Sequence, residues 1–478
     1  MRSRYTTDAY LTVTLSLVLT VLLSFILAFF SAARTGAAKV RAECVTGIAL
    51  DATLAEYNRG LFDRYDLLFL DTSYGSAVAS VTRTEEHMRK YVQQNLSESV
   101  IGAAEGSARF TGLHCTGIRI PSYVLATDGN GAVLRRQILE YMTAEPLENA
   151  LTEATEHLDI LRAEGYDTRD VEAEMTAQYA ELEQAFSDAG VPVSDAGEDA
   201  LQVQSQRSLG VLTLAHPDKA SISNAACTPV MYVSGRTLSQ GNAYAGGESL
   251  SATERLLIDQ YFLEKCGYYG NVRDGSRLEY QLEYMICGEG SDYKNLEQVA
   301  RKLLAWREAS NFAYIMTDGG KKALAEVAAA AVSLLLLSPS LQEPVKTAIL
   351  FAWSFAESIA DLRTLFKGGK VPLIKTSATW KTSLLNILSF GEGTHGTTGL
   401  DYGDYLRMLL LLEDLNTKTL RFADIVEMDL RMTEDNPNLR LDGCLDWFSA
   451  EVSYGSSTAF SGTFVRSGGY GVHEEDEK

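Results

Sequence analysis

Residues 11–30 read LTVTLSLVLTVLLSFILAFF, twenty consecutive positions without a charged side chain. About 20 apolar residues is the length that crosses the hydrocarbon core of a bilayer as an α-helix. A secretory signal peptide has a shorter apolar core, of about 7–15 residues, followed by small residues at a cleavage site. Ser31-Ala32-Ala33 would suit such a site. The length of the core nevertheless favours a retained membrane anchor, residues 1–33, over a cleaved leader.

The periodicity of a helix continues beyond this span. Small and apolar residues recur at intervals close to three, four or seven, which indicates one face of an amphipathic helix. They are Ala33, Ala37, Val40, Cys44, Ile48, Leu54 and Leu61. The first turn signal is LDTSYG at 70–75, so a juxtamembrane helix is predicted over 34–75. The pattern leaves open whether this helix is separate from the anchor or one long helix with it.

Charges around the span do not fix its orientation. Arg2 and Arg4 precede it, and Arg34, Lys39 and Arg41 follow it. The excess of Lys and Arg on the cytoplasmic side of membrane helices therefore gives no clear answer.

The chain of 478 residues has a net charge of −21. This argues against a nucleic-acid partner, which requires a basic face. The negative charge is concentrated between Gln137 and Gln206, where 17 acidic residues stand against two arginines. Leucines at helical spacing around Gly165-Tyr166-Asp167-Thr168 predict a coiled-coil-like helical hairpin there. Residues 136–206 are thus expected to form an acidic hairpin insertion followed by an exposed linker.

The rest of the chain, 76–135 and 207–466, is predicted to be an α+β head with a mostly antiparallel sheet. Extended patterns occupy 112–125, 278–287 and 444–465, and Asp128-Gly129-Asn130-Gly131 is expected to be a turn. The stretch LEYQLEYMIC at 278–287 alternates most cleanly and predicts a half-buried strand. Residues 467–478 are expected to form a disordered acidic tail.

Five helical segments are predicted in the second half of the head. Ser291 is expected to cap a helix that runs to about Asn311. Two very apolar segments, Ala323–Leu337 and the one opened by Pro344, are too short or too charged to span a membrane and predict a buried helical hairpin. Further helices are expected at 401–415 and 418–432.

No motif identifies a catalytic, cofactor or metal site, and no cofactor is predicted. GEGTHG at 391–396 satisfies G-x-G-x-x-G, but no helix follows it directly, as a dinucleotide site requires. Ser291-Asp292-Tyr293-Lys294 matches S-x-x-K without the companion motifs of serine acyl transfer. Glu279 and Glu283 would lie too far apart on a strand for a typical carboxylate pair.

The histidines and cysteines are scattered. The six histidines show no ligand spacing; they are His87, His114, His157, His216, His395 and His473. The six cysteines form no CxxC motif; they are Cys44, Cys115, Cys227, Cys266, Cys287 and Cys444. Thiols without disulfides are expected, and Cys266 with Cys287 is the first pair to test.

Several stretches together resemble the large pilin-like, membrane-anchored proteins of Gram-positive bacteria, related in layout to the pseudopilins of tight-adherence loci. The quoted stretches are DAYLTVTLSLVLTVLLSFILAFFSAAR, AEYNRGLFDRYDLLFLD, LEYQLEYMICG, KNLEQVARKLLAWREASN, AWSFAESIADLRTLFKGGKVPLIKT and GLDYGDYLRMLLLL. The resemblance implies a cytoplasmic N-terminus, a helix continuous from lipid into an external head, and pilin-like or secretion-apparatus subunits as partners. Pilins usually carry a glycine before the span and a glutamate early within it. Both are missing here, so an accessory subunit fits better than a major filament subunit.

These observations predict a single-pass, surface-exposed structural or assembly protein of a pilus-like or secretion apparatus, without enzymatic activity. Two alternatives remain: an anchored adhesin that binds through the acidic hairpin, and a tethered enzyme whose site is assembled from residues distant in sequence.

Overall fold

The structure is a computed structural model. It describes residues 3–97, 111–144, 148–163, 165, 170–188, 210–216, 221–246, 249–335, 339–390, 396–457 and 460–471. The chain divides into two compact units. Unit 1 comprises Met1–Gln137, Leu238–Gly247 and Glu434–Lys478, and unit 2 comprises Ile138–Thr237 and Glu248–Thr433.

The predicted α+β class is confirmed: the described residues form a mostly helical chain with one small sheet. The helices are α1 (Ser3–Leu54), α2 (Arg59–Tyr65), α3 (Val81–Ser97), α4 (Asp128–Thr143), α5 (Glu148–Ala163), α6 (Val171–Asp188), α7 (Val211–Ala215), α8 (Ala252–Lys265), α9 (Gln281–Cys287), α10 (Asp292–Thr317), α11 (Gly319–Leu335), α12 (Gln342–Phe366), α13 (Tyr402–Leu412) and α14 (Leu415–Leu430). The strands are β1 (Leu70–Asp71), β2 (Leu113–Leu125), β3 (Cys444–Ser456) and β4 (Ser461–Gly469).

The sheet belongs to unit 1 and is antiparallel throughout. Strand β3 is central: β2 pairs along one edge, and β1 and β4 pair with the other. The strand pattern predicted early and late in the chain is therefore confirmed. Strand β4 runs to Gly469, and Tyr470 packs against the core, so the ordered chain enters the segment expected to be a tail; residues 472–478 lie outside the described part.

Helix α1 is a single helix of 52 residues. The apolar span and the amphipathic segment after it are therefore one continuous helix, which the sequence had left open. The expectation that it reaches residue 75 is wrong. The chain turns after Leu54, and the Asn58 side chain caps α2 by accepting a hydrogen bond from Leu61 N–H. A polar cap of this kind competes with helix continuation.

The Asp128-Gly129-Asn130-Gly131 turn is confirmed. Gly129, Asn130 and Gly131 have left-handed backbone conformations at the start of α4. The Asp128 carboxylate accepts hydrogen bonds from Leu125 N–H and Gly241 N–H. Asp128 therefore joins the end of β2 to the segment 238–247 of unit 1.

Unit 2 is built around α12, most of whose side chains are buried. The acidic hairpin is present as α5 and α6, and α6 packs on α10 and α12. The apolar face of α6 is buried; it consists of Val171, Met175, Tyr179, Leu182 and Phe186. The hairpin is thus folded onto the helices of unit 2. Residues 166–169 of its turn, and 189–209 of the expected linker, lie outside the described residues.

The prediction of a strand at 278–287 is wrong. Residues Gln281–Cys287 form helix α9. Gln281 and Glu283 are buried and hydrogen-bonded, although the alternating pattern had placed them on a solvated face. These two polar side chains form hydrogen bonds in the interior. The alternation of polar and apolar residues therefore did not correspond to alternating exposed and buried positions.

The prediction of a buried apolar hairpin is confirmed for α12. It is wrong for one face of α11, which is exposed. Ala325, Ala329 and Ser333 of α11 are buried, whereas Val327 and Leu334 are 72% and 75% exposed. The remaining predicted helices are present as α10, α13 and α14, with Ser291 as the N-cap of α10.

Candidate functional site

The N-terminal half of α1 presents an exposed apolar surface. Among the residues the structure describes, Tyr10–Leu54 is the helix long and apolar enough to cross a membrane. Large apolar side chains from Tyr10 to Phe30 are exposed along it. This is the geometry of a single membrane anchor or a signal sequence.

Hydroxyl groups within this apolar stretch are satisfied inside the helix. Thr14, Thr20 and Ser24 each donate to the carbonyl oxygen four residues earlier, at 2.6–2.9 Å. An unsatisfied hydroxyl would be costly in hydrocarbon, and this internal bond removes that cost. The polar residues of the span are therefore compatible with lipid.

The second half of α1 docks on unit 1 through a face of small residues. Ala38, Ala42 and Ala49 are fully buried there and let the helix backbone approach the sheet closely. The sheet contributes Ile118, Phe448 and other apolar side chains of the same core. This face is offset from the one that the sequence predicted: Val40, Cys44 and Ile48 point outward.

Polar contacts fix the docked helix. The Thr46 and Tyr454 hydroxyls lie 2.9 Å apart within the core. Arg41 Nη2 donates to the Leu96 carbonyl oxygen at 2.8 Å, and the Tyr470 hydroxyl donates to the Leu54 carbonyl oxygen at 2.5 Å. These bonds tie α1 to β3, to α3 and to the chain after β4. The docked half of the helix is thus held at several points, not only at its end.

The outward face of the docked half is apolar and open. Val40 is 62% exposed and Ile48 is 50% exposed, and Cys44 is exposed between them. A side chain added at Gly36 or Gly47 would meet nothing within 4 Å. Small residues on a helix surface permit close approach of another helix. We call Gly36, Val40, Cys44, Gly47 and Ile48 the outward face of α1.

Unit 2 contains a buried ionic cluster. Asp361 on α12 accepts hydrogen bonds from Arg307 of α10 and, at 2.6 Å, from Lys375 Nζ. Lys375 Nζ also donates to Glu357 Oε1 at 2.6 Å and to the Thr379 carbonyl oxygen at 3.2 Å. The side chains of Arg307, Asp361, Glu357 and Lys375 are all fully buried.

The cluster holds two fully buried cations and two fully buried carboxylates, and a third cation, Lys381, lies 4.0 Å from Asp361. Burial alone would raise the pKa of Asp361, but Arg307 and Lys375 outweigh it and hold that pKa below its usual value. Glu357 also accepts hydrogen bonds from the backbone N–H groups of Lys381 and Thr382. Two cations and two carboxylates thus occupy the centre of unit 2, which burial alone would disfavour.

A second buried carboxylate is Glu283. Its Oε1 accepts hydrogen bonds from Tyr269 N–H at 3.0 Å and the Tyr402 hydroxyl at 2.9 Å, whereas Oε2 has no hydrogen-bond partner. Burial raises the pKa of Glu283 to about 7, although the hydrogen bonds from Tyr269 and Tyr402 act in the opposite direction. Glu279 is exposed whereas Glu283 is buried, so the two carboxylates lie in different environments.

The remaining sequence motifs have structural roles. Ser291 caps α10 by accepting a hydrogen bond from Lys294 N–H. This cap accounts for Ser291 in the S-x-x-K match. Asp292 is buried and accepts from Glu279 N–H and Tyr280 N–H. Residues 391–395 of GEGTHG lie outside the described part of the chain.

His87 and His216, among the described histidines, have separate partners. His87 lies 3.2 Å from the Glu56 carboxylate and stacks on Tyr74. His216 is hydrogen-bonded to the Tyr269 hydroxyl at 2.6 Å. Within the described ranges, no three His, Cys, Asp or Glu side chains are grouped to hold a metal; His395 and His473 lie outside those ranges.

All six cysteines belong to the described residues, and no disulfide joins any two of them. Cys266 lies 3.9 Å from Met285, not against Cys287. Burial raises the pKa of Cys287 to about 12, so its thiol stays protonated and unreactive at neutral pH.

Sequence reasoning missed the ionic cluster. Its one local signal was the spacing of Glu357 and Asp361, four residues apart within the otherwise apolar AWSFAESIADL. Two carboxylates on one face of a buried helix require cations. The cations, Arg307 and Lys375, come from a distant helix and from the loop after α12, which no local pattern specifies.

Comparisons with known proteins give one match. The model of a family of unknown function, DUF5702, matches residues 194–456, more than half of the chain. No curated protein matches, and no solved structure matches. The matched span includes the ionic cluster and β3, and it leaves out α1.

Proposed function

The chain belongs to DUF5702, a family of unknown function, and we propose that it is a single-pass, membrane-anchored structural or assembly subunit of a pilus-like or secretion apparatus. Its N-terminus is cytoplasmic and its two units are extracytoplasmic. Other pilin-like or secretion-apparatus subunits are its partners.

The observation that carries this proposal is the continuity of α1. One helix runs without interruption from an exposed apolar segment into a segment docked on an antiparallel sheet. A flexible tether would suffice to hold an enzyme or an adhesin near a membrane. A rigid helix fixed to the sheet transmits position and force between the membrane and unit 1, as a structural subunit requires.

The outward face of α1 supports the assembly part of the proposal. It lies on the opposite side of the helix from the docked face and is small and apolar. Exposed apolar surface of this kind marks a protein or membrane contact. A neighbouring subunit's helix would cover Val40 and Ile48 and approach closely at Gly36 and Gly47.

Cys44 provides a built-in probe for this contact, because it is exposed on the outward face. We would oxidise native membranes and look for disulfide-linked species that contain this chain. The proposal predicts a link through Cys44 that Cys44→Ser abolishes. As a matched control, Cys44→Ser/Thr46→Cys moves the thiol to the docked face and is expected to form none. A chain that stays monomeric on oxidation, with cysteines also placed at Val40 and Ile48, would contradict assembly through this face.

A further inference from the structure

Lys375, Asp361 and Glu357 form a group whose chemistry the proposed function does not use. Lys375 Nζ lies 2.6 Å from Asp361 Oδ1 and 2.6 Å from Glu357 Oε1, and all three side chains are fully buried. The two carboxylates lie one turn apart on α12, and Lys375 is supplied by the loop after that helix. An amine is thus held against a carboxyl group, with a second carboxylate touching the same amine.

We propose that Lys375 and Asp361 condense to form an intramolecular amide bond between Nζ and the Asp361 side-chain carbon, with Glu357 transferring the proton. The bond would join α12 covalently to the loop that follows it. It is a self-modification of the folded chain and requires no cofactor.

The reaction balances without any other reactant. Glu357 takes a proton from the Lys375 ammonium, and the neutral amine attacks the Asp361 carbonyl carbon to form the new C–N bond. Glu357 returns this proton to the departing carboxyl oxygen and carries a second proton to it from the nitrogen of the tetrahedral intermediate, the C–O bond breaks, and one water molecule leaves. The ammonium and carboxylate are replaced by a neutral amide and water, with no change of oxidation state.

The surroundings favour each step. The fold already holds the reacting groups in contact, so the reaction does not have to bear the entropy cost of bringing them together. Arg307 Nη2 lies 3.0 Å from Asp361 Oδ2, where it stabilises negative charge on that oxygen as the amine adds. Condensation also removes one ammonium and one carboxylate from the interior, which lowers the number of buried charges, and Arg307 keeps its hydrogen bond to the Leu373 carbonyl oxygen.

A second buried pair shows what is particular to this group. Lys418 Nζ lies 2.6 Å from Asp259 Oδ1, and both side chains are almost fully buried. The other acceptor of Lys418 is the Leu410 carbonyl oxygen, and no second carboxylate of the described chain contacts its amine. Lys418 and Asp259 therefore lack the proton carrier and are expected to remain an ion pair, so they form an internal control.

The test is peptide mass spectrometry on the full-length protein, purified from membranes, denatured and digested with trypsin. The proposal predicts a branched peptide that joins TAILFAWSFAESIADLR, residues 347–363, to VPLIKTSATWK, residues 371–381, with the mass of one water molecule missing. Trypsin would not cleave after Lys375 in this species. The peptides that contain Lys418 and Asp259 are expected separately, at their unmodified masses.

Two variants test the assigned roles. Lys375→Arg retains the positive charge but has no amine that can form the amide, so the branched peptide should vanish. Glu357→Gln retains the volume, and loss of its proton transfer is expected to slow amide formation by roughly 100-fold or more in a time course after synthesis.

The proposal fails if the wild-type protein releases VPLIK, residues 371–375, together with an unmodified 347–363 peptide. It also fails if Lys375→Arg still contains a branched peptide, since another amine would then be the nucleophile. The wild-type digest decides the matter even where a variant does not fold, and its result is independent of how the N-terminus is anchored or processed.

Discussion

The hydroxyl groups of Thr46 and Tyr454 lie 2.9 Å apart in the core of unit 1, where they join the docked half of α1 to the central strand β3. Thr46 also donates to the Ala42 carbonyl oxygen, which leaves the Tyr454 hydroxyl to donate to Thr46. The hydrogen bond connects residues 408 positions apart in sequence. It therefore reports directly on whether the helix is seated on the sheet.

Removal of one partner of this bond should destabilise unit 1. Thr46→Val leaves the buried Tyr454 hydroxyl unsatisfied, which costs about 1–3 kcal/mol. Adding Tyr454→Phe removes the unsatisfied group, so the double variant should be less destabilised than the sum of the two single changes. Urea denaturation of the four proteins measures the coupling. Purely additive effects would show that the two hydroxyls do not interact.

Adjacent positions on α1 should respond oppositely to the same charge. Ala49 is fully buried against the sheet, so Ala49→Asp is expected to destabilise unit 1 by several kcal/mol. Ile48 is half exposed, so Ile48→Asp should leave the stability almost unchanged while it removes the Cys44 cross-link. Thermal unfolding and oxidation of membranes give the two measurements. Equal destabilisation by both changes would contradict the assigned faces.

The stability of unit 2 should depend on pH through Glu283. Its pKa is about 7 in the folded protein and near its ordinary value of 4.5 when unfolded. Between these values the folded state binds the extra proton, so stability falls as pH rises from about 4.5 to 7, by about 3 kcal/mol. Glu283→Gln should reduce the slope by this amount, while Asp259 and Asp424, whose pKa values burial raises to about 6, keep their own contributions, and it should stabilise the protein above pH 7. Urea denaturation at several pH values measures this dependence. If the variant showed the same change of stability with pH as the wild type, groups other than Glu283 would cause it.

Buried and exposed ion pairs should differ in their contributions. Lys418→Met leaves Asp259 buried without its cation, which is expected to cost about 3–5 kcal/mol. The pKa of Asp259, already raised to about 6 by burial, should rise further. Arg466→Met breaks a pair with Glu43 in which both side chains are half exposed, and a change of about 0–1 kcal/mol is expected. Denaturation curves that shift equally would refute this distinction.

Sequence patterns predicted the elements whose periodicity reflects exposure. The long apolar span, the helix of small residues after it, the capped helix at Ser291 and the paired strands near the C-terminus all belong to this class. The pattern failed at LEYQLEYMIC because Gln281 and Glu283 are buried and form hydrogen bonds with Asp429, Tyr269 and Tyr402. Polar residues that satisfy each other inside a protein mimic the alternation of a strand.

The ionic cluster was beyond sequence reasoning for a related reason. Arg307 and Asp361 are 54 positions apart, and no local pattern pairs them. Only the packing of α10 on α12 brings them together. The outward face of α1 was visible as a periodic stripe, but the pattern could not show that the alanine face on the opposite side of the helix, not the stripe itself, meets the sheet.

The most direct test of the anchored-subunit account is the N-terminal residue of the native protein recovered from membranes, determined by mass spectrometry. The account predicts a start at Met1 or within the ten residues before the span, with residues 11–30 retained. A start near Arg34 would show that the span is a cleaved leader, and the anchored-subunit account would be wrong.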